Sequence, residues 1–129
     1  MKYELAEDLQ KQAEEISLDL FPHIQIENVK CFRSYGTSSR GTIARCHTIG
    51  KIVQKALGIK AIYVLEFLSE RFGKLPEDEK TETIIHELMH IPKAFGGGFK
   101  HHDFVCSRNV KKFFNEYKKR KNEKRENIF

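Results

Sequence analysis

With 129 residues, 40% of them apolar and 32% charged, the chain can build one modest core but not two, so a single soluble globular domain over residues 1–129 is expected. No apolar run approaches the ~18 residues that span a bilayer, the polar start MKYELAEDLQKQAEEISLDLF is no secretory signal, and Cys31, Cys46 and Cys106 are too scattered for a disulfide framework or a cysteine zinc cluster. The net charge of +5 is uneven: residues 93–129 carry 11 Lys/Arg against 4 Asp/Glu, and residues 1–92 carry 12 against 14. A cytoplasmic protein with reduced thiols and no membrane partner is therefore expected, its basic character concentrated in a tail at about 118–129.

In chain order, YELAEDLQKQAEEISLDLF (3–21) sets Leu5, Leu9, Ile16 and Leu20 at helical spacing, and Pro22 stops that helix. IQIENVKCFRS (24–34) alternates like a half-buried strand, YGTSSRG (35–41) is a loop, and TIARCHTI (42–49) reads as a second strand. GKIVQKALG (50–58) is a short helix closed by Gly58, and AIYVLEFL (61–68), rich in β-branched and aromatic residues, is a central or edge strand. In GKLPEDEKTETIIHELMHI (73–91), Pro76 suits a first helical position, and Glu77, Asp78 and Glu79 complement the positive helix N-terminus. Pro92 ends that helix. KAFGGGFKH (93–101) is a loop whose Gly96, Gly97 and Gly98 serve a tight return of the chain, because the lysine and helix of a phosphate-binding P-loop are missing. HDFVCSRNVKKFFNEYKKRKNEK (102–124) is a last helix with Cys106, Val110, Phe113, Phe114 and Tyr117 on one face. These elements compose an α+β domain. Glutamates interrupt the basic tail and no aromatic alternates with its bases, so a solvated helix end is favoured over a nucleic-acid patch.

Four of the six histidines, His86, His90, His101 and His102, fall within residues 83–104, and the first two form HELMH. Side chains at i and i+4 of a helix lie one above the other, so His86 and His90 can share one metal ion. Glu87 lies about 100° round the helix, poorly placed as a ligand but well placed to accept a proton from water that the metal activates. Ile84, Leu88 and Ile91 occupy the opposite face, leaving the histidines to a cleft. The alternatives are histidines that merely cap a helix end and a structural zinc site. Three protein ligands with an open fourth position is the catalytic pattern, whereas structural sites use four. The third ligand is expected from the loop or beyond. His102 is preferred to His101 because it would share the inward face of the last helix with Cys106 and Phe113. Glu116 is a further candidate, more than three turns along. His23 and His47 stand alone, with ordinary surface or core roles expected.

EKTETIIHELMHIPKAFGGGFKHH, with AIYVLEFLSERF upstream, resembles a family of short archaeal and phage-type single-domain metallopeptidases of the zincin class. The resemblance covers about residues 40–110. It implies a zincin-like fold: a small mixed sheet with a backing helix, an HExxH active-site helix and a C-terminal helix. It also implies His86, His90 and His102 as zinc ligands and Glu87 as general base. Members often carry proline where this chain has His101, which favours His102. The same resemblance implies that AIYVLEFL lines the cleft and pairs with an extended peptide substrate. More loosely, the chain is similar to minimal gluzincins, which would supply a Glu as third ligand, and to SprT-like proteases, which would supply a His. It departs from metzincins, with Lys93 and Gly96 where their pattern has glycine and the third ligand.

The expected function is hydrolysis of a peptide or unfolded protein by one zinc ion per chain, with His101, Tyr63 and Arg45 as candidates for a second oxyanion donor. A non-catalytic zinc-binding interaction module, a nucleic-acid-associated protease guided by the tail, and a self-associating or autoinhibited enzyme are the alternatives.

Overall fold

The computed structural model describes residues 1–128, so Phe129, at the end of the expected tail, lies outside the described residues. The order is β1 (Lys2–Leu5), α1 (Glu7–Leu20), a 3₁₀ turn (Ile26–Asn28), β2 (Val29–Tyr35), β3 (Ala44–Thr48), α2 (Lys51–Leu57), β4 (Tyr63–Leu68), α3 (Ser69–Phe72), α4 (Glu77–Met89) and α5 (Ser107–Ile128). Five helices and a four-stranded mixed sheet make this an α+β fold.

Strands lie in the order β1-β2-β4-β3, with β1 and β3 at the edges. β1 runs antiparallel to β2, β2 parallel to β4, and β3 antiparallel to β4. Val29, Cys31, Tyr63, Leu65 and Phe67 point to one side of the sheet, where they join Leu9, Ala13 and Ile16 of α1, Ile84, Ile85, Leu88 and Met89 of α4, and Val110, Phe114 and Tyr117 of α5 in one core. Each large apolar side chain so buried is worth about 1.5–3 kcal/mol relative to exposure. α1 and α4 both pack on the sheet, α1 against β2 and α4 against β3, and α5 lies against both helices, so the apolar face of α4 is committed to the core.

Several sequence expectations change, among them the strand expected from Ile24, which starts only at Val29 after the 3₁₀ turn. Residues 2–5 are a strand, not the first turn of α1: Leu5, expected on the helix's apolar face, pairs with Phe32 and stays exposed. The edge of β2 is served in turn by β1, by the Ala6 amide on the Cys31 carbonyl at 2.9 Å, and by the Gln10 side chain. That amide donates to the Val29 carbonyl and accepts from the Cys31 N–H, both at 2.8 Å, replacing a missing stretch of neighbouring strand. Pro76 caps α4 instead of occupying its first turn. Finally, α5 begins at Ser107, so His101 and His102 precede it.

Candidate metal centre

α4 keeps its helical path to the end of HELMH. His90 is the C-cap but retains helical angles (φ −68°, ψ −17°), so the i to i+4 relation with His86 survives and the two rings meet edge to face, centroids 5.2 Å apart. Ile84, Ile85, Leu88 and Met89 are essentially inaccessible. Their burial fixes the helix rotation, leaving His86 and His90 half-buried on the cleft side.

The loop after Pro92 returns the chain to these rings and is clamped from two sides. The Tyr63 hydroxyl donates to the Gly98 carbonyl at 2.7 Å and accepts from the Gly97 N–H at 3.1 Å. The Gln54 amide donates to the Gly96 and Ile49 carbonyls at 3.0 and 2.9 Å. Gly97 sits at φ +99°, and a Cβ there would collide with the Ile49 carbonyl and the Gln54 amide; of the three glycines, this one is obligatory. The Lys100 N–H then donates to the His90 carbonyl, and the His90 ring donates from Nδ1 to the Lys100 carbonyl, each at 2.8 Å.

This return sets the His102 ring 5.2 Å from that of His90 and 6.2 Å from that of His86, centroid to centroid. His102 lies in a turn, not on α5: the His101 carbonyl accepts from the Phe104 and Val105 amides, and Asp103 Oδ1 accepts from the Phe104 N–H. His102 and His101 are therefore not set apart by a helical face, as their expected place on the last helix implied. One ligand atom from each of His86, His90 and His102 comes within 4.8 Å of the others, while His101 lines the same cleft outside this group. Glu116 is engaged with Arg120 at 2.9 Å on α5, apart from the triad.

These residues fit a divalent ion. Burial, followed by the neighbouring histidines, lowers the proton affinity of His86, and burial lowers that of His90, keeping both rings in the neutral form a metal requires. A carbonyl can only accept, so the bond to Lys100 assigns the proton of neutral His90 to Nδ1 and leaves the Nε2 lone pair for an ion; such outer hydrogen bonds accompany most metal-bound histidines. Three imidazole nitrogens would suit zinc, which His86, His90 and His102 would hold.

Glu87 is only 5% exposed, and its burial pushes the carboxyl up to about 7, the direction a proton acceptor needs. Its Oε2 lies 4.0 Å from His86 Nε2. A cleft of about 380 Å³ opens beside it, bounded by the histidines, Phe99, Lys100 and the β3 residues Ala44, Arg45 and Cys46. Here the expected substrate strand must be corrected. AIYVLEFL, as β4, is paired on both sides and cannot receive another strand; β3 pairs with β4 alone and borders the cleft.

Of the oxyanion candidates, Tyr63 is buried and committed to the glycine loop. Arg45 borders the cleft from β3, but its side chain turns to the other face of the sheet, where the guanidinium lies 3.8 Å from Glu66 Oε1. His47 bonds the same Glu66 oxygen at 2.7 Å, and His23 Nε2 bonds the Ile91 carbonyl at 3.0 Å just beyond α4. Gln54 and the Lys100 carbonyl are the positioning groups the sequence reading missed. A backbone carbonyl carries no residue-type signal, and Gln54 stands in an unremarkable short helix. Burial pushes the Cys31 thiol up to about 12 and the Cys46 thiol higher still, so neither is a ready nucleophile.

Compared with known proteins, the chain matches over residues 1–122 the model of a family described as "putative phage metallopeptidase". No curated protein and no solved structure matches it. Among the described residues, no helix is long and apolar enough to cross a membrane.

Proposed function

The chain belongs to the putative phage metallopeptidase family, and from that membership we propose that it is a zinc-dependent endopeptidase with a zincin-like fold. His86, His90 and His102 hold one zinc ion, Glu87 is the general base, and the substrate is a peptide or an unfolded protein. The observation that carries this reading is the convergence of three ring nitrogens, within 4.8 Å of one another, beside a buried carboxylate in an open cleft.

The ion supplies a Lewis acid that brings the pKa of water at the site to about 7 and polarises a carbonyl. Glu87 accepts the proton of the attacking water on a carboxylate oxygen and passes it to the departing amine. The free edge of β3 offers main-chain hydrogen bonds to an extended peptide, giving recognition with little dependence on sequence. His101 remains the candidate for a second oxyanion donor, since the Arg45 guanidinium lies with Glu66 on the other face of the sheet and the one O–H proton of Tyr63 is already donated to the Gly98 carbonyl.

Metal content and cleavage of a generic unfolded protein, for the wild type and Glu87→Gln, test the reading together. One zinc per chain in both, with cleavage confined to the wild type, is expected. Zinc in both and cleavage in neither would leave a non-catalytic binding module. A folded protein without stoichiometric metal would overturn the metal site itself.

A further inference from the structure

The histidine cleft adjoins a second cavity of about 630 Å³; both are lined by Ala44, His86 and Glu87. The walls of the second cavity include Ile43 and Ala44 at the start of β3, Leu75 before α4, and Val110 of α5. Glu79 and Glu82, one turn apart on α4, join Glu87 as its carboxylates. Lys111 also lines it, but its ammonium is bound to Glu82 at 2.7 Å. Glu79 makes no ion pair among the described residues and is exposed.

β3 directs Ala44 and Cys46 to the helix side of the sheet, since they stand opposite the buried Phe67 and Leu65 of β4. A peptide extended along the free edge of β3 alternates its side chains in the same way. The one that stands beside Ala44 on the helix side therefore enters this cavity, next to Glu87.

We propose that this cavity receives a substrate side chain flanking the scissile bond and selects lysine or arginine there, with Glu79 as the specificity-determining residue. The proposal rests on the peptidase reading above and deepens it. Long basic side chains combine an apolar stem with a charged end. The stem covers Ile43, Leu75 and Val110, while the cation meets Glu79, the exposed carboxylate at the cavity with no lysine or arginine ion pair among the described residues; Glu87, which has none either, is buried beside the histidines. A leucine satisfies the walls but gains nothing from Glu79. A glutamate meets the like charges of Glu79, Glu82 and Glu87, the repulsive element by which a site rejects a competitor.

The test uses matched internally quenched peptides carrying Lys, Arg, Leu or Glu at the positions flanking one cleavable bond. They are cut by the zinc-loaded wild type and by Glu79→Gln and Glu79→Lys. Their binding to zinc-loaded Glu87→Gln is followed by fluorescence anisotropy. At one flanking position the wild type should favour Lys and Arg over Leu by about two- to fivefold in kcat/KM, and over Glu by more. Glu79→Gln should erase the advantage over Leu, and Glu79→Lys should turn the preference toward Glu. Glu79 is an exposed residue of the first helical turn, so both variants are expected to fold. Cleavage indifferent to the flanking residue would overturn the specificity while leaving the peptidase reading in place. Absence of cleavage, with binding that still favours Lys and Arg, would uphold the specificity and overturn hydrolysis. Absence of both would overturn both.

Discussion

The Tyr63 ring belongs to the core, but its hydroxyl belongs to the metal loop, where it satisfies the Gly97 N–H and the Gly98 carbonyl. Tyr63→Phe keeps the ring and strips both backbone groups of their partner. Because a buried polar group left unpaired costs roughly 1–3 kcal/mol, a destabilisation of that size is expected in urea unfolding. Loosening the loop should also weaken zinc binding, since the loop carries His102 and the Lys100 carbonyl that orients His90; competition with a chromogenic chelator measures this. Gly97→Ala should show both effects, because a Cβ at φ +99° meets the Ile49 carbonyl and Gln54. If Gly97→Ala unfolds and binds zinc like the wild type, the loop is not clamped as described.

At the level of elements, α4 was the most legible part of the sequence. Proline and three acids mark its start, the isoleucines and Leu88 mark its buried face, and HELMH then faces the cleft by helical geometry alone. β1 was hidden because Leu5 continues the helical spacing of α1; only the partner strand, nearly thirty residues away, reveals that residues 2–5 are extended. The sheet order was equally hidden, being set by pairings between distant segments, and with it the identity of β3 as the cleft's edge. Residue types alone place His102 on the last helix, because the turn that delays α5 rests on backbone bonds to the His101 carbonyl, which no residue type announces. The junction of α1 with β2 also carries a pH dependence. Asp8 of α1 holds Arg33 of β2 through two bonds of 2.7 and 2.8 Å, and this guanidinium lowers the Asp8 carboxyl from 3.8 to about 2. The folded pKa lies below the unfolded one, so the contribution is complete above pH 4 and disappears as pH falls towards 2. Both partners are solvent-accessible, and the effect should be at most about 1 kcal/mol. Urea midpoints between pH 2 and 5 should therefore fall less steeply for Asp8→Asn than for the wild type. Parallel curves would remove Asp8 from the acid limb.

For the molecule as a whole, the acidic and basic parts of the chain are partners in the fold. Lys111 and Lys118 of α5 meet Glu82 and Asp78 of α4, Lys124 meets Asp19 of α1, and Arg120 donates to the Asp19 carbonyl. The sequence's basic C-terminal run is thus tied down along much of α5, and the helical layer is held at its rim by contacts that salt can weaken. The proposed metal site adds a different coupling. Its ligands come from α4 and from the turn before α5, so they converge only when the loop between them is in place, and an ion recognising all three binds the folded chain alone. Free zinc at a hundredfold above its dissociation constant should then stabilise the fold by about 2.7 kcal/mol. For a domain of this size each kcal/mol raises Tm by roughly 2–5 °C, so the chelated protein should melt roughly 5–14 °C below the zinc-loaded one. His102→Ala removes an exposed side chain outside the core and should melt like the chelated wild type. At the same zinc concentration its upward shift should be much smaller. An equal shift in this variant would mean that zinc is held by His86 and His90 with some other group, and that the turn before α5 plays no part in the metal site.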